Sequence, residues 1–217
     1  MGGGLDAFLL PAISVAGESS ANSSSPTHGT SMAETILRSL AAMNNGASSA
    51  QILPVDVYGN NATTTTFDVA YGIYQAVNAG ANPINLSLGS SGDSTFLHNT
   101  IQSASQQGVL FFAAAGNTPV TTPTYPAAYP EVVAVTAGNN QGQIANYANR
   151  GSFVDIVAPG TSIVYFNGQA YYVSGTSAAT AYATGLAAGR AEQTGQTLSA
   201  VEAGMLKSLA VKPTTAP

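Results

Sequence analysis

The chain has no cysteine, which removes a disulfide framework, a thiolate zinc site and a cysteine nucleophile together. Charge is scarce too, at 7% of residues against about a quarter in ordinary globular proteins, so charge is not the main means of recognition. Five basic residues against ten acidic ones give a net charge of −5 and leave no basic footprint for nucleic acid or an anionic membrane surface. No apolar run approaches the roughly 20 residues of a membrane helix. Met1-Gly2-Gly3-Gly4 lacks the basic and apolar regions of a signal peptide, so the signal of an exported protein would have been removed or lie upstream.

What remains is 217 residues that are 45% hydrophobic and rich in Ser, Thr, Asn, Ala and Gly, which fits one globular domain with a sizeable core. Leu9 to Val15, Gln51 to Val57, Ile84 to Leu88 and Val109 to Ala115 read as strands. Helical spacing marks Met32 to Met43, Val69 to Val77 and Phe96 to Gln107 between them. That alternation predicts an α/β fold: a three-layer, doubly wound, mostly parallel sheet with helices on both faces. Further strands are expected at Val132 to Thr136, Phe153 to Val157 and Gln169 to Val173, with Pro159-Gly160 turning the chain. A small-residue helix follows Gly175 and a last amphipathic helix covers Leu198 to Leu209. Residues 1–4 and 212–217 read as frayed ends of the single domain 1–217.

Reactive groups in such sheets collect beyond the carboxyl ends of the strands. Ser177, in Gly175-Thr176-Ser177-Ala178-Ala179-Thr180, stands where a helix N-terminus favours developing negative charge, although serine is also a common N-cap. Serine needs a base, and histidine suits that task near neutral pH. His98 falls inside a helical pattern and reads as a packed or surface residue, whereas His28 follows a polar loop just ahead of a helix. Asn117 ends the run Ala113-Ala114-Ala115-Gly116-Asn117, where its amide reads either as an oxyanion donor or as a turn residue.

In combination these segments resemble the catalytic domain of the subtilisin-like serine peptidases, the subtilases. The match runs through His28-Gly29-Thr30, Asn85-Leu86-Ser87-Leu88-Gly89, Ala114-Ala115-Gly116-Asn117, Tyr125-Pro126-Ala127-Ala128-Tyr129-Pro130, Val157-Ala158-Pro159-Gly160-Thr161 and the Ser177 motif, in family order. The resemblance implies a secreted serine endopeptidase in which Ser177 is the nucleophile, His28 the general base, and Asn117 with the Ser177 N–H the oxyanion hole. Ser87, Leu88 and Gly89 would pair with an extended polypeptide substrate, and Ala114, Ala115 and Gly116 would wall the pocket beside the cut. It also implies a cis bond at Tyr125-Pro126, a monomer that meets its own propeptide, and chemistry that needs no cofactor. Structural calcium is possible, but Asn44 to Ser49 carries no carboxylate to support the site some relatives have there.

The resemblance breaks at the aspartate that orients the histidine. Asp6 is the only aspartate among the 27 residues before His28, and Leu5-Asp6-Ala7-Phe8 lacks the family's apolar-Asp-Ser/Thr-Gly setting. Glu18 stands in a Ser-rich loop and reads as solvated. The expectation is a chain that starts after the true aspartate, against the alternatives that Asp6 is the third member or that the natural protein lacks one; the other functional readings are a non-catalytic peptide-binding domain or a fragment inactive until the missing strand is supplied. Glu34, where glycine is usual, reads as a capping carboxylate, and Ala181-Tyr182 replaces the usual Pro-His after the serine.

Overall fold

A computed structural model describes residues 5–17, 24–44 and 48–211. The expected frayed ends and Glu18 lie outside the described residues. Strands β1 (Ile13–Ser14) and β2 (Val55–Asp56) pair in parallel around α1 (His28–Met43), and α2 (Thr66–Asn78) leads to β3 (Ile84–Leu86). A second parallel sheet has the order β3, β4 (Phe111–Ala114), β5 (Val132–Gly138), β6 (Ile156–Pro159), with α3 (Thr95–Ser105) crossing between β3 and β4. The register sets Asn85 beside Phe112 and Ala114 beside Val135.

Each sheet face has its own core, as strands buried on both sides require. Phe111, Ala113, Val132 and Ala134 meet Val69, Ile73, Leu97 and Ile101 of α2 and α3. Phe112, Val133, Val135 and Ile156 face Ala179, Ala183 and Leu186 of α4 (Thr176–Thr194), together with Val201 and Met205 of α5 (Leu198–Ser208). The three-layer α/β architecture is therefore the observed one.

Helix α4 is small-residued because it is buried nearly all round, including against α1. A Cβ on Gly185 would lie 2.2 Å from the Ile36 carbonyl oxygen, a separation only glycine permits. The Ser39 hydroxyl donates to the Tyr182 carbonyl at 2.8 Å across the same interface. Ala181 is fully buried within α4, which runs unbroken from Thr176 to Thr194.

Two expectations need correction. Pro159-Gly160 does not turn the chain: β6 passes straight into β7 (Thr161–Phe166), because the Gly160 N–H still reaches the Gly138 carbonyl at 3.1 Å. The turn comes later, at Asn167-Gly168, both with positive φ, and pairs β7 with β8 (Gln169–Ser174) in an antiparallel hairpin. Glu34 caps nothing, since it lies beyond the first turn of α1; its carboxylate accepts from the Tyr165 N–H of β7 at 3.4 Å.

Candidate active site

Helix α4 starts one residue before the serine. Gly175 is its N-cap and has no side chain to offer, so Ser177 is the second helical residue and not the cap. The first N–H of the helix, that of the buried Thr176, is satisfied from outside the helix by Asn117 Oδ1 at 2.9 Å. In return the Gly116 N–H donates to Thr176 Oγ1 at 3.1 Å, tying the end of β4 to the start of α4. With Oδ1 committed, the Asn117 Nδ2 donor has no hydrogen-bond partner among the described residues, beside a serine whose own N–H lies in the free first turn.

His28 is the first residue of α1 and not a residue ahead of it. Thr27 caps that helix through a hydrogen bond from the Thr30 N–H at 3.1 Å, which places the imidazole at the helix entrance. His28 Nε2 lies 3.1 Å from the Ser87 carbonyl oxygen, and Ser177 Oγ donates to the same oxygen at 3.3 Å. A carbonyl only accepts, so His28 Nε2 carries its proton in this arrangement. No direct His28–Ser177 hydrogen bond is present; such contacts often tighten only with substrate bound.

Ser87 is fixed in turn. Its hydroxyl donates to the Ser177 carbonyl at 3.0 Å and accepts from Asn85 Nδ2 at 3.0 Å, while Asn85 Oδ1 lies 3.2 Å from the Thr184 hydroxyl. Among the described residues no carboxylate bonds to His28. Asp6 is exposed in a 3-10 turn, its carbonyl accepting from the Leu9 N–H.

A pocket of about 420 Å³ opens beside Ser177, between Leu88-Gly89, Ala114, Gly116-Asn117 and Thr122 to Thr124. Its walls carry no charged side chain. Ala115 is not among them. It is fully buried, its N–H donating to the Val135 carbonyl and its own carbonyl accepting from Asn149 Nδ2. The Tyr125-Pro126 bond is cis, and Tyr125 forms an antiparallel bridge with Ser90, a residue of the pocket wall.

His98 stands apart from this site. It pairs with Glu131 at 2.9 Å and stacks on Tyr129 at 4.3 Å. Burial pulls the Glu131 carboxyl upward, but hydrogen bonds from His98 and Gln102 outweigh it and hold the group below its ordinary range. The loop after α1 does receive a carboxylate, brought by α4: Ser48, Ser49 and Asn44 all donate to Glu192 and keep it ionised to lower pH than usual. Among the described residues no group of three or more His, Asp or Glu side chains could hold a metal ion.

The sequence pattern did not single out Thr176, Thr184 or Asn149. Thr176 and Thr184 each sit one turn from Thr180, on either side of it along one face of α4, a spacing visible in the sequence. Asn149 carries no local signal.

The Subtilase family profile matches residues 9–213. A thermostable alkaline protease of Halalkalibacterium halodurans is 37% identical over 192 residues, 82% of this chain and 52% of that protein. The thermophilic serine proteinase of Bacillus sp. (strain AK1) is 41% identical over 149 residues, 68% of this chain and 37% of that one. This chain thus spans about half or less of the length of these two relatives. A cold-adapted subtilisin-like serine proteinase superposes with a TM-score of 0.70 at 33% identity, over 88% of this chain and 72% of that one. The S218A mutant of the protease domain of PatA gives 0.71 at 29%, over 87% and 74%. With a profile match across nearly the whole described fold, and a serine, histidine and asparagine gathered at one sheet edge, the chain belongs to the subtilase family.

Proposed function

We propose that the chain is a serine endopeptidase domain that cuts extended polypeptides through an acyl-enzyme. Ser177 Oγ attacks the scissile carbonyl and His28 takes its proton. Asn117 Nδ2 and the Ser177 N–H receive the oxyanion, and His28 then protonates the departing amine. Water repeats the sequence to release the acyl group from Ser177. The observation that carries this reading is the Asn117 Oδ1 bond to the Thr176 N–H, which leaves the amide donor free beside the nucleophile. The substrate strand lies along Ser87, Leu88 and Gly89, and an uncharged side chain fills the pocket between Leu88-Gly89 and Ala114-Gly116. No cofactor enters these steps.

For this chemistry His28 must present an unprotonated Nε2, hence carry its proton on Nδ1. No carboxylate among the described residues holds that tautomer. In another serine protease, loss of the tautomer-setting aspartate costs about 10⁴ in kcat, so slow turnover is expected of this chain by itself. We place the protein outside the cell, as a monomer that meets its own propeptide, in keeping with the subtilase family to which it belongs; no helix among the described residues is long and apolar enough to cross a membrane.

The test is a serine-reactive phosphonate with adduct mapping, beside hydrolysis of a casein-type substrate. An adduct on Ser177 and slow cleavage, both lost in Ser177→Ala, are expected. Absence of any adduct and of any cleavage sinks the proposal.

A further inference from the structure

Asn117 offers a donor only if the turn carrying it is held still, and its neighbours are held by one buried side chain. Asn149 is 2% exposed and touches the turn on both sides of Asn117. Its Nδ2 donates to the Ala115 carbonyl at 2.7 Å, its backbone N–H to the Gly116 carbonyl at 2.9 Å, and its Oδ1 accepts from the Thr118 N–H at 2.9 Å. The second Nδ2 proton reaches Thr124 Oγ1 at 3.1 Å, a wall of the pocket. The Asn149 carbonyl in turn accepts from the buried Thr136 hydroxyl of β5, so the bracket is anchored in the sheet.

The fit excludes alternatives. Gly116 has φ +108, and a Cβ there would stand 2.5 Å from Asn149 Nδ2, so the turn has been shaped around this amide. Every polar atom of the Asn149 side chain is hydrogen-bonded within the protein, so although it lines the pocket it has no donor left to offer a substrate.

We infer that Asn149 is a positioning residue for catalysis: it fixes Asn117 in its donating pose and couples that pose to the pocket wall at Thr124. The inference rests on the proposed peptidase chemistry. Substrate filling the pocket presses on the element that the same amide links to the oxyanion donor. Binding beside the cut and stabilisation of the transition state then share one strut.

Asn149→Asp keeps the shape and the acceptor but loses both donors; Thr124→Val removes only the pocket-side contact and leaves the rest folded. With the chain as it stands, Asn149→Asp is expected to lower kcat about 10-fold or more with KM changed less than about 3-fold, and Thr124→Val to shift both by smaller factors. In an Asn117→Ala background the further loss from Asn149→Asp should shrink to about 2-fold, because the group it positions is gone. Equal losses in both backgrounds, or a change in KM alone, overturn the inference. An independent readout is the ¹⁵N–¹H signal pair of the Asn117 side-chain amide, which should move or broaden in Asn149→Asp while the fold's other amides hold. If it is unchanged, the positioning role fails even in a fully active enzyme. If it moves in a chain that shows neither turnover nor a Ser177 adduct, the positioning stands and the peptidase reading is what fails.

Discussion

Among the described residues, four of the five α-helices cap themselves and one does not. In α1, α2, α3 and α5 the residue before the helix, Thr27, Thr65, Ser94 or Thr197, turns its hydroxyl back to an N–H three positions on. At α4 the cap is Gly175, and the first N–H is satisfied by Asn117, 59 positions away along the chain. A self-cap satisfies the third N–H of its helix from the adjoining residue and ties that helix only to itself. The remote cap satisfies the first N–H of α4 and uses the contact to aim another side chain beside the Ser177 N–H. The contrast shows which helix start is built together with a distant strand end.

The sharpest way to break that contrast is at Asn117. Asn117→Ala removes the remote cap and the oxyanion donor at once, and kcat should fall within the about 10²–10³-fold range known for the corresponding loss in subtilisin. Asn117→Asp separates the two roles. It keeps the acceptor for Thr176 and adds a charge the helix dipole favours, so thermal unfolding should hold or rise while kcat drops at least as far. Equal kinetics for Asn117→Asp and the native protein would show that capping, not donation, is its task.

Next in size is the interface that holds α4 from outside. Gly185→Ala drives a methyl into the Ile36 carbonyl and should cost about 1–3 kcal/mol in denaturant unfolding, with activity falling beyond what stability explains because α1 carries His28. At a self-capped helix the outcome is different. Thr65→Ala should cost about 1 kcal/mol and leave kcat and KM as they were. A kinetic effect there would erase the distinction between the two kinds of helix start.

The smallest effect concerns α5. Burial raises the Glu202 carboxyl above its ordinary range, and the nearby charge of Asp155 adds to the shift; Asp155 is itself raised by burial. A carboxyl raised in the folded state binds more protons folded than unfolded, so the associated stability is complete below the ordinary carboxylate range and is lost as pH rises through the raised value. Glu202→Gln should therefore raise the melting temperature at pH 7 and give no gain near pH 3.

Much of this was legible in the residues. The alternation of Ile84 to Leu88, Phe96 to Gln107 and Val109 to Ala115 predicts a strand, helix and strand that the structure contains, because burial on both faces leaves a continuous apolar run. Ser177, His28 and Asn117 stand at chain positions whose meaning comes from sheet topology, and the topology brings them to one edge. The hairpin was readable in principle from Asn167-Gly168 between Phe166 and Gln169, yet Pro159-Gly160 drew the turn to the wrong place: Pro and Gly mark several conformations besides a turn. Asn149 was not legible. Its partners lie at 115, 116, 118, 124 and 136, and no local period encodes a side chain that works only across the fold.

The Ser87 carbonyl oxygen has two lone pairs, and His28 and Ser177 occupy both. That one main-chain atom, just past the end of β3, ties the start of α1 to the start of α4. The spacing of the imidazole and the hydroxyl is thus referred to the backbone, which no side-chain substitution at position 87 removes.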